Sequence, residues 1–252
     1  MKILPPQTLP PETPIRRRHN PRPANWRGGY RTYHECLSWD FGFTCAFCLL
    51  HEADLVLQGA EGLGVSTAEH LVPQCVDETL ANDYTNIVNA CRFCNRARSN
   101  APRVAEDGRL LDPTEDAWAN HFWIKGDQLV PHGDDADALR TYKVYDLDDD
   151  RKVARREFRR TLLVHHMKQF IEGQERYQWL LDEAQIEGDP EKSLDLLQLA
   201  KEIYTEVIYP ACLFLKCYSA IPINAPKRCR CETTEMHCLP EEFERQMQQI
   251  EM

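Results

Sequence analysis

Cys45-Ala46-Phe47-Cys48 and Cys91-Arg92-Phe93-Cys94 are two C-x2-C pairs separated by 42 residues. Each pair forms a tight knuckle that aims two sulfurs at one point, so two knuckles can close a tetrahedral structural zinc site. A module spanning residues 36 to 105 is expected to fold around that tie. Four sulfurs complete the coordination of zinc, yet the same module also holds Glu69-His70, Asn86 and Asn95. Those oxygens and that imidazole require a second explanation.

The chain has 252 residues and is 42% hydrophobic, enough for a core. The expected class is α+β: a small zinc-framed core followed by a mainly helical C-terminal region. Eleven cysteines would suggest disulfides in a short secreted protein, but Met1-Lys2-Ile3-Leu4-Pro5-Pro6 lacks the apolar core of a signal peptide. Reduced thiols and a cytoplasmic location are expected. No run of about 18 apolar residues occurs, so no membrane span is expected.

A net charge of -10 argues against a protein that coats nucleic acid through its overall field. The basic residues are nevertheless clustered. Lys2, Arg16, Arg17, Arg18, Arg22, Arg27 and Arg31 oppose only Glu12 at the start, and Arg92, Arg96, Arg98 and Arg103 surround the second knuckle. A third block, Arg151-Lys152 to Arg159-Arg160, follows Asp148-Asp149-Asp150, which places negative charge at a helix start.

Prolines and arginines make residues 1 to 25 an arm with little to pack. The module is expected over 26–110 and the helical region over 111–252. Within the module the pattern predicts strands at 65–70 and 86–90 and a helix at 92–100. Asp112-Pro113-Thr114-Glu115 predicts a capped helix burying Trp118 and Phe122. A long helix is expected over 151–185, with Phe158, Leu162, Met167, Phe170, Ile171, Trp179 and Leu180 near one side. Another opens at Asp189-Pro190, and Pro210 should kink or end it.

Thr67-Ala68-Glu69-His70-Leu71-Val72-Pro73 together with Tyr84-Thr85-Asn86 through Asn95-Arg96-Ala97-Arg98 resembles the signature of zinc-containing HNH endonucleases. The match covers roughly residues 30 to 105. The resemblance implies a ββα-metal (treble-clef-like) nuclease core. Zinc on Cys45, Cys48, Cys91 and Cys94 would hold its frame while a second divalent ion serves the chemistry. His70 would be the general base, since an imidazole can accept a proton from water at neutral pH. Glu69 and the amide oxygen of Asn95 would be hard ligands for Mg2+ or Mn2+. Asn86 resembles the central Asn, with the implied role of holding the loop that aims His70; Asn89 is its rival. Arg92, Arg96 and Arg98 become candidate DNA phosphate contacts. Glu69 stands where Asp is more usual, and Asn95 where His is more usual, which favours hard ions at the catalytic position.

Tyr30-Arg31-Thr32-Tyr33, the run from Asp40 to Cys45 and Glu69-His70 are also similar to HNH proteins of bacterial phage-defence systems of the Septu type. That resemblance implies DNA as substrate and an ATPase as partner protein. The alternative from the same residues is a non-catalytic zinc-dependent module that binds nucleic acid or protein. Elsewhere, Cys229, Cys231, His237 and Cys238 could form a second zinc site, although C-x-C is a looser signal. His121 and the His165-His166 pair read as packing residues, Cys212 and Cys217 as buried thiols, and Cys36 and Cys75 have no assigned role.

Overall fold

The structure, a computed structural model, describes residues 29–57 and 66–217 together with Arg17 and Pro21. The rest of the predicted arm and the Cys229, Cys231, His237, Cys238 set lie outside the described residues. The chain divides into two compact units whose described parts meet at Glu157 and Phe158, inside one helix.

In the first unit a 3-10 turn, Gly29–Tyr33, leads into helix α1, His34–Asp40. The first knuckle and the short helix α2, Glu52–Leu57, follow. Strand β1, Ser66–His70, pairs antiparallel with β2, Ile87–Cys91, in a register that sets Ser66 against Cys91 and His70 against Ile87. Every residue of β2 is buried, because α1 and helix α3, Arg92–Arg98, both pack on this hairpin. The two predicted strands and the helix after them therefore stand close to their expected positions. Cys91 ends β2 and caps α3, its sulfur accepting the Cys94 backbone N–H at 3.5 Å.

A two-rung hairpin follows, β3 (Val104–Ala105) with β4 (Gly108–Arg109). The helix expected from Asp112 does not form. Asp112 Oδ1 accepts from Thr114 N at 2.8 Å and from its hydroxyl at 2.6 Å, capping a single turn. Asp116 then turns back to accept from the Asp112 backbone N–H at 2.8 Å and to pair with Arg109 at 2.7 Å. The chain continues as a hairpin of β5 (Phe122–Lys125) and β6 (Gln128–Pro131). Gly126 sits at φ 65 in its two-residue turn, a conformation that suits glycine. Trp118 and Phe122 are buried as expected, but in the turn and the strand.

Asp135 caps α4, Ala136–Val144, through the Ala138 backbone N–H at 2.8 Å. Leu111, Trp118, Phe122, Leu129, Tyr145 and Leu147 share one core with Leu37, Phe47 and Ile87. The module thus extends past residue 110, where the sequence expectation ended it, because the hairpin and α4 supply the other side of the knuckle core.

Helix α5, Asp150–Ile186, runs from this unit into the second. The second unit also holds α6 (Pro190–Ile203), a π-helical turn (Tyr204–Ile208) and α7 (Tyr209–Cys217). Asp189 caps α6 with Pro190 in its first turn, as the sequence predicts. Pro210 neither ends nor breaks the helical run. The π turn, in which Tyr209 N bonds to Tyr204 O, absorbs the missing donor and the crowding of the ring. Leu163, Phe170, Gly173, Leu180 and Ala184 form the buried side of α5, and a Cβ on Gly173 would stand 3.0 Å from Ile208 Cγ1. Phe158, Ile171 and Trp179, expected beside Phe170 and Leu180, are exposed instead. At about 100° per residue the expected set spreads around the helix. Among the described residues, no helix is long and apolar enough to cross a membrane.

Candidate functional site

The four knuckle cysteines are buried, and their sulfurs all lie within 4.8 Å of one another. Cys48 Sγ and Cys91 Sγ are 3.5 Å apart. Sulfurs bound to one zinc at about 2.3 Å would stand about 3.8 Å apart, so the set fits a tetrahedral zinc. Local backbone bonds aim the sulfurs: Cys45 N donates to Leu50 O at 2.8 Å, and Ala46 N to Asn89 O at 2.8 Å. Asn89 Nδ2 donates to Thr44 O at 3.1 Å, which gives this asparagine a role at the knuckle.

Two cations from the third basic block close over this cluster. Lys152 is 1% exposed and its Nζ donates to Tyr145 O and Asp146 O, each at 2.6 Å. Arg156 donates to Cys48 O at 2.9 Å and to Asp127 O at 2.7 Å. Tyr145 stacks on Phe47 of the first knuckle at 3.7 Å. Burial works against the Lys152 ammonium, but Cys94, Cys48, Cys91 and Asp146 together outweigh it and hold the group above its ordinary value. Four thiolates around one Zn2+ carry two net negative charges, and a buried ammonium and guanidinium oppose them. Sequence reasoning missed this pair; its signal was a Lys and an Arg four residues apart at the start of a helix.

The polar set lies at the end of β1. His70 is 9% exposed, with Nε2 2.9 Å from Ala81 O and 3.1 Å from the Gln74 side-chain amide. Tyr30 meets the ring edge-on at 4.6 Å. Ala81 O can only accept and the Gln74 amide nitrogen can only donate, so the two contacts cannot both be hydrogen bonds; with the shorter bond, to Ala81, the proton is on Nε2 and Nδ1 is the basic nitrogen. Burial lowers the pKa of His70 and nearby Arg98 adds to the effect, against the Ala81 bond, which raises it; the net shift is downward and favours the neutral ring. Asn86 Oδ1 accepts from Val72 N at 2.7 Å, while Nδ2 donates to Val72 O at 3.0 Å and Leu80 O at 3.2 Å. This side chain fastens both ends of the loop whose Ala81 carbonyl holds His70.

Glu69 and Asn95 lie on the α3 side of β1. Asn95 Nδ2 donates to Thr67 Oγ1 at 3.0 Å and Ala68 O at 3.3 Å, so Oδ1 is left without a hydrogen bond among the described residues. Glu69 is buried and its Oε1 is 2.5 Å from Arg98. Burial raises the carboxyl pKa, and the Arg98 contact offsets that only in part. Arg98 is not placed for the phosphate contact expected of it. It is 2% exposed, and beyond Glu69 it donates to His70 O and, at 2.6 Å, to Leu71 O. A buried carboxylate and the end of a buried strand both need donors, and a guanidinium supplies several. Arg92 and Arg96, on the same helix, are exposed.

His121 pairs with Asp135 at 2.6 Å beside the start of α4. A cavity of 570 Å3 behind the Asn86 loop is lined by Arg17 and Arg103 but also by Asp83, Asp112 and Glu115, so it offers no positive bed for phosphate. No family model, curated protein or solved structure matches this chain. The residues themselves carry the functional reading.

Proposed function

We propose that the protein is an HNH-type endonuclease that hydrolyses DNA phosphodiester bonds, with His70 as general base beside a structural zinc on Cys45, Cys48, Cys91 and Cys94. The observation that carries this reading is the 2.9 Å contact of His70 Nε2 with Ala81 O, which orients the ring, on a loop fastened by Asn86. A proton acceptor at neutral pH needs a neutral ring, one free nitrogen and a fixed orientation. In hydrolysis Nδ1 takes a proton from water as the water oxygen bonds to phosphorus, and the bond from phosphorus to the 3' oxygen breaks, its electron pair passing to that oxygen, which takes a proton from solvent water. The exposed Arg92 and Arg96 would hold neighbouring phosphates.

Glu69 Oε2 and Asn95 Oδ1 are hard oxygen donors that accept no hydrogen bond among the described residues, so they suit Mg2+ or Mn2+. When bound there, such an ion supplies positive charge for the phosphoryl and departing oxygens. In this reading the partners are DNA and an ATPase subunit, and the setting is phage defence or restriction. Co-purification of an ATPase with the tagged chain tests the partner.

The Arg98–Glu69 ion pair favours a second reading, because it already neutralises the carboxylate a metal would use. The chain would then be a non-catalytic zinc-dependent module that binds nucleic acid or protein. Supercoiled plasmid incubated with Mg2+ or Mn2+ separates the two. Nicking by the parent protein and not by His70→Ala supports the nuclease; DNA retention without cleavage, with or without metal, supports the binding module.

A further inference from the structure

Four large apolar side chains stand in solvent along one line of α5: Val164 is 64% exposed, Ile171 49%, Trp179 55% and Ile186 77%. At about 100° per residue they fall within an arc of roughly 80°, on the side of the helix opposite Leu163, Phe170, Gly173, Leu180 and Ala184. Among the described residues, the packing of the second unit therefore leaves this stripe uncovered. Lys168, Glu175 and Asp182 alternate with the apolar residues along the same line, and all three are exposed.

The order of these residues is symmetric about Glu175. Reading outward in both directions, Ile171 answers Trp179, Lys168 answers Asp182, and Val164 answers Ile186. An antiparallel copy of the helix, related by a two-fold axis through Glu175, would thus set apolar residues against apolar residues and an ammonium against a carboxylate. Every contact would be made twice. Such self-complementarity is what an isologous interface requires, and a different partner gives no reason for it. We infer that α5 forms an antiparallel two-fold seam with a second copy of this chain, along Val164, Lys168, Ile171, Trp179, Asp182 and Ile186.

The seam would run along about 33 Å of helix at roughly 1.5 Å per residue. Lys168 now reaches Glu172 at 3.6 Å, and Asp182 accepts from Gln178 at 2.9 Å. Both are exposed contacts within the helix, worth little, so either can be exchanged for a contact across the seam. Glu175 meets its own copy at the axis, the one like-charge contact in the pairing. Combined with the nuclease reading, on which this step rests, the pair would carry two cleavage sites, one for each strand of a duplex.

Sedimentation of the full-length protein at micromolar concentration tests the seam independently of cleavage. The parent chain is expected to dimerise, and Ile171→Lys or Trp179→Lys to weaken the dimer by roughly tenfold or more. Lys168→Glu and Asp182→Lys each make the seam repel itself, so each should sediment as a monomer. Mixed one to one, they should form a heterodimer, since each variant then supplies the charge the other lacks. Glu175→Gln should tighten the parent dimer. These side chains are exposed, so circular dichroism should show unchanged helix in every variant. A monomeric parent chain, a dimer indifferent to Ile171→Lys and Trp179→Lys, a mixture that stays monomeric, or no tightening by Glu175→Gln would overturn the proposal.

Discussion

His70 Nε2 donates to the carbonyl oxygen of Ala81 at 2.9 Å, and Asn86 holds the carbonyl of Leu80, one residue earlier in the chain, at 3.2 Å. One asparagine therefore fixes the loop that fixes the imidazole. His70→Ala is expected to leave the fold intact, losing about 1–3 kcal/mol at most, because the ring, though buried, makes few hydrogen bonds. In the nuclease reading it abolishes plasmid nicking. A folded His70→Ala protein that nicks at the parent rate would remove His70 from the chemistry.

Asn86→Ala should act through position. Three bonds to Val72 and Leu80 are lost, at a cost of about 2–3 kcal/mol. Amide exchange over residues 71–83 should quicken. If the nuclease reading holds, kcat falls while DNA affinity stays near the parent value. Asn86→Asp cannot restore it, since a carboxylate can accept from Val72 N but cannot donate to two carbonyls. Unchanged exchange in the 71–83 loop would show that the clamp is unimportant.

The cysteine cluster should bind one zinc per chain, measurable by elemental analysis. Structural zinc contributes on the order of 10–16 kcal/mol of apparent binding energy to folding. Chelation or Cys91→Ala should therefore make the module protease-sensitive. Lys152→Met should weaken zinc retention against a chelator, because it removes the buried ammonium opposing the cluster. A Cys91→Ala protein that keeps its zinc and its protease resistance would refute the cage.

Much of this was legible because knuckle spacing, strand alternation and capping residues are local. The two C-x2-C pairs, β1, β2, α3 and the start of α6 need only neighbours in sequence to be recognised. The hairpin at 122–131 was misread because Asp112-Pro113-Thr114-Glu115 is also a good single turn, and the pairing of β5 with β6 then satisfied the backbone that a helix would have used. The inward turn of Arg98 is a tertiary matter with a local trace. Asn95 and Arg98, three residues apart on α3, face the same strand, where Thr67 and Glu69 two residues apart receive them. A buried acid on a strand needs a cation, and the nearest arginine at helical spacing was that cation. Lys152 and Arg156 were hidden for a related reason: a basic helix start reads as a solvated face until the cluster it covers is known.

The three arginines of α3 should separate into two classes. Arg98→Ala leaves Glu69 buried without its cation and strips donors from His70 O and Leu71 O, so it should cost about 3–5 kcal/mol of stability. Arg98→Lys should recover only part of that, since an ammonium lacks the fork that spans a carboxylate and two carbonyls. Arg92→Ala and Arg96→Ala remove exposed side chains and should stay within about 0.5 kcal/mol of the parent. In the nuclease reading their effect belongs to binding: each should lower the slope of log affinity against log salt by about one for duplex DNA, whatever its sequence. Thermal melts and fluorescence anisotropy across a salt series measure the two properties separately. An Arg98→Ala protein that melts with the parent yet binds DNA more weakly would return Arg98 to the phosphate and leave the buried ion pair without a structural role.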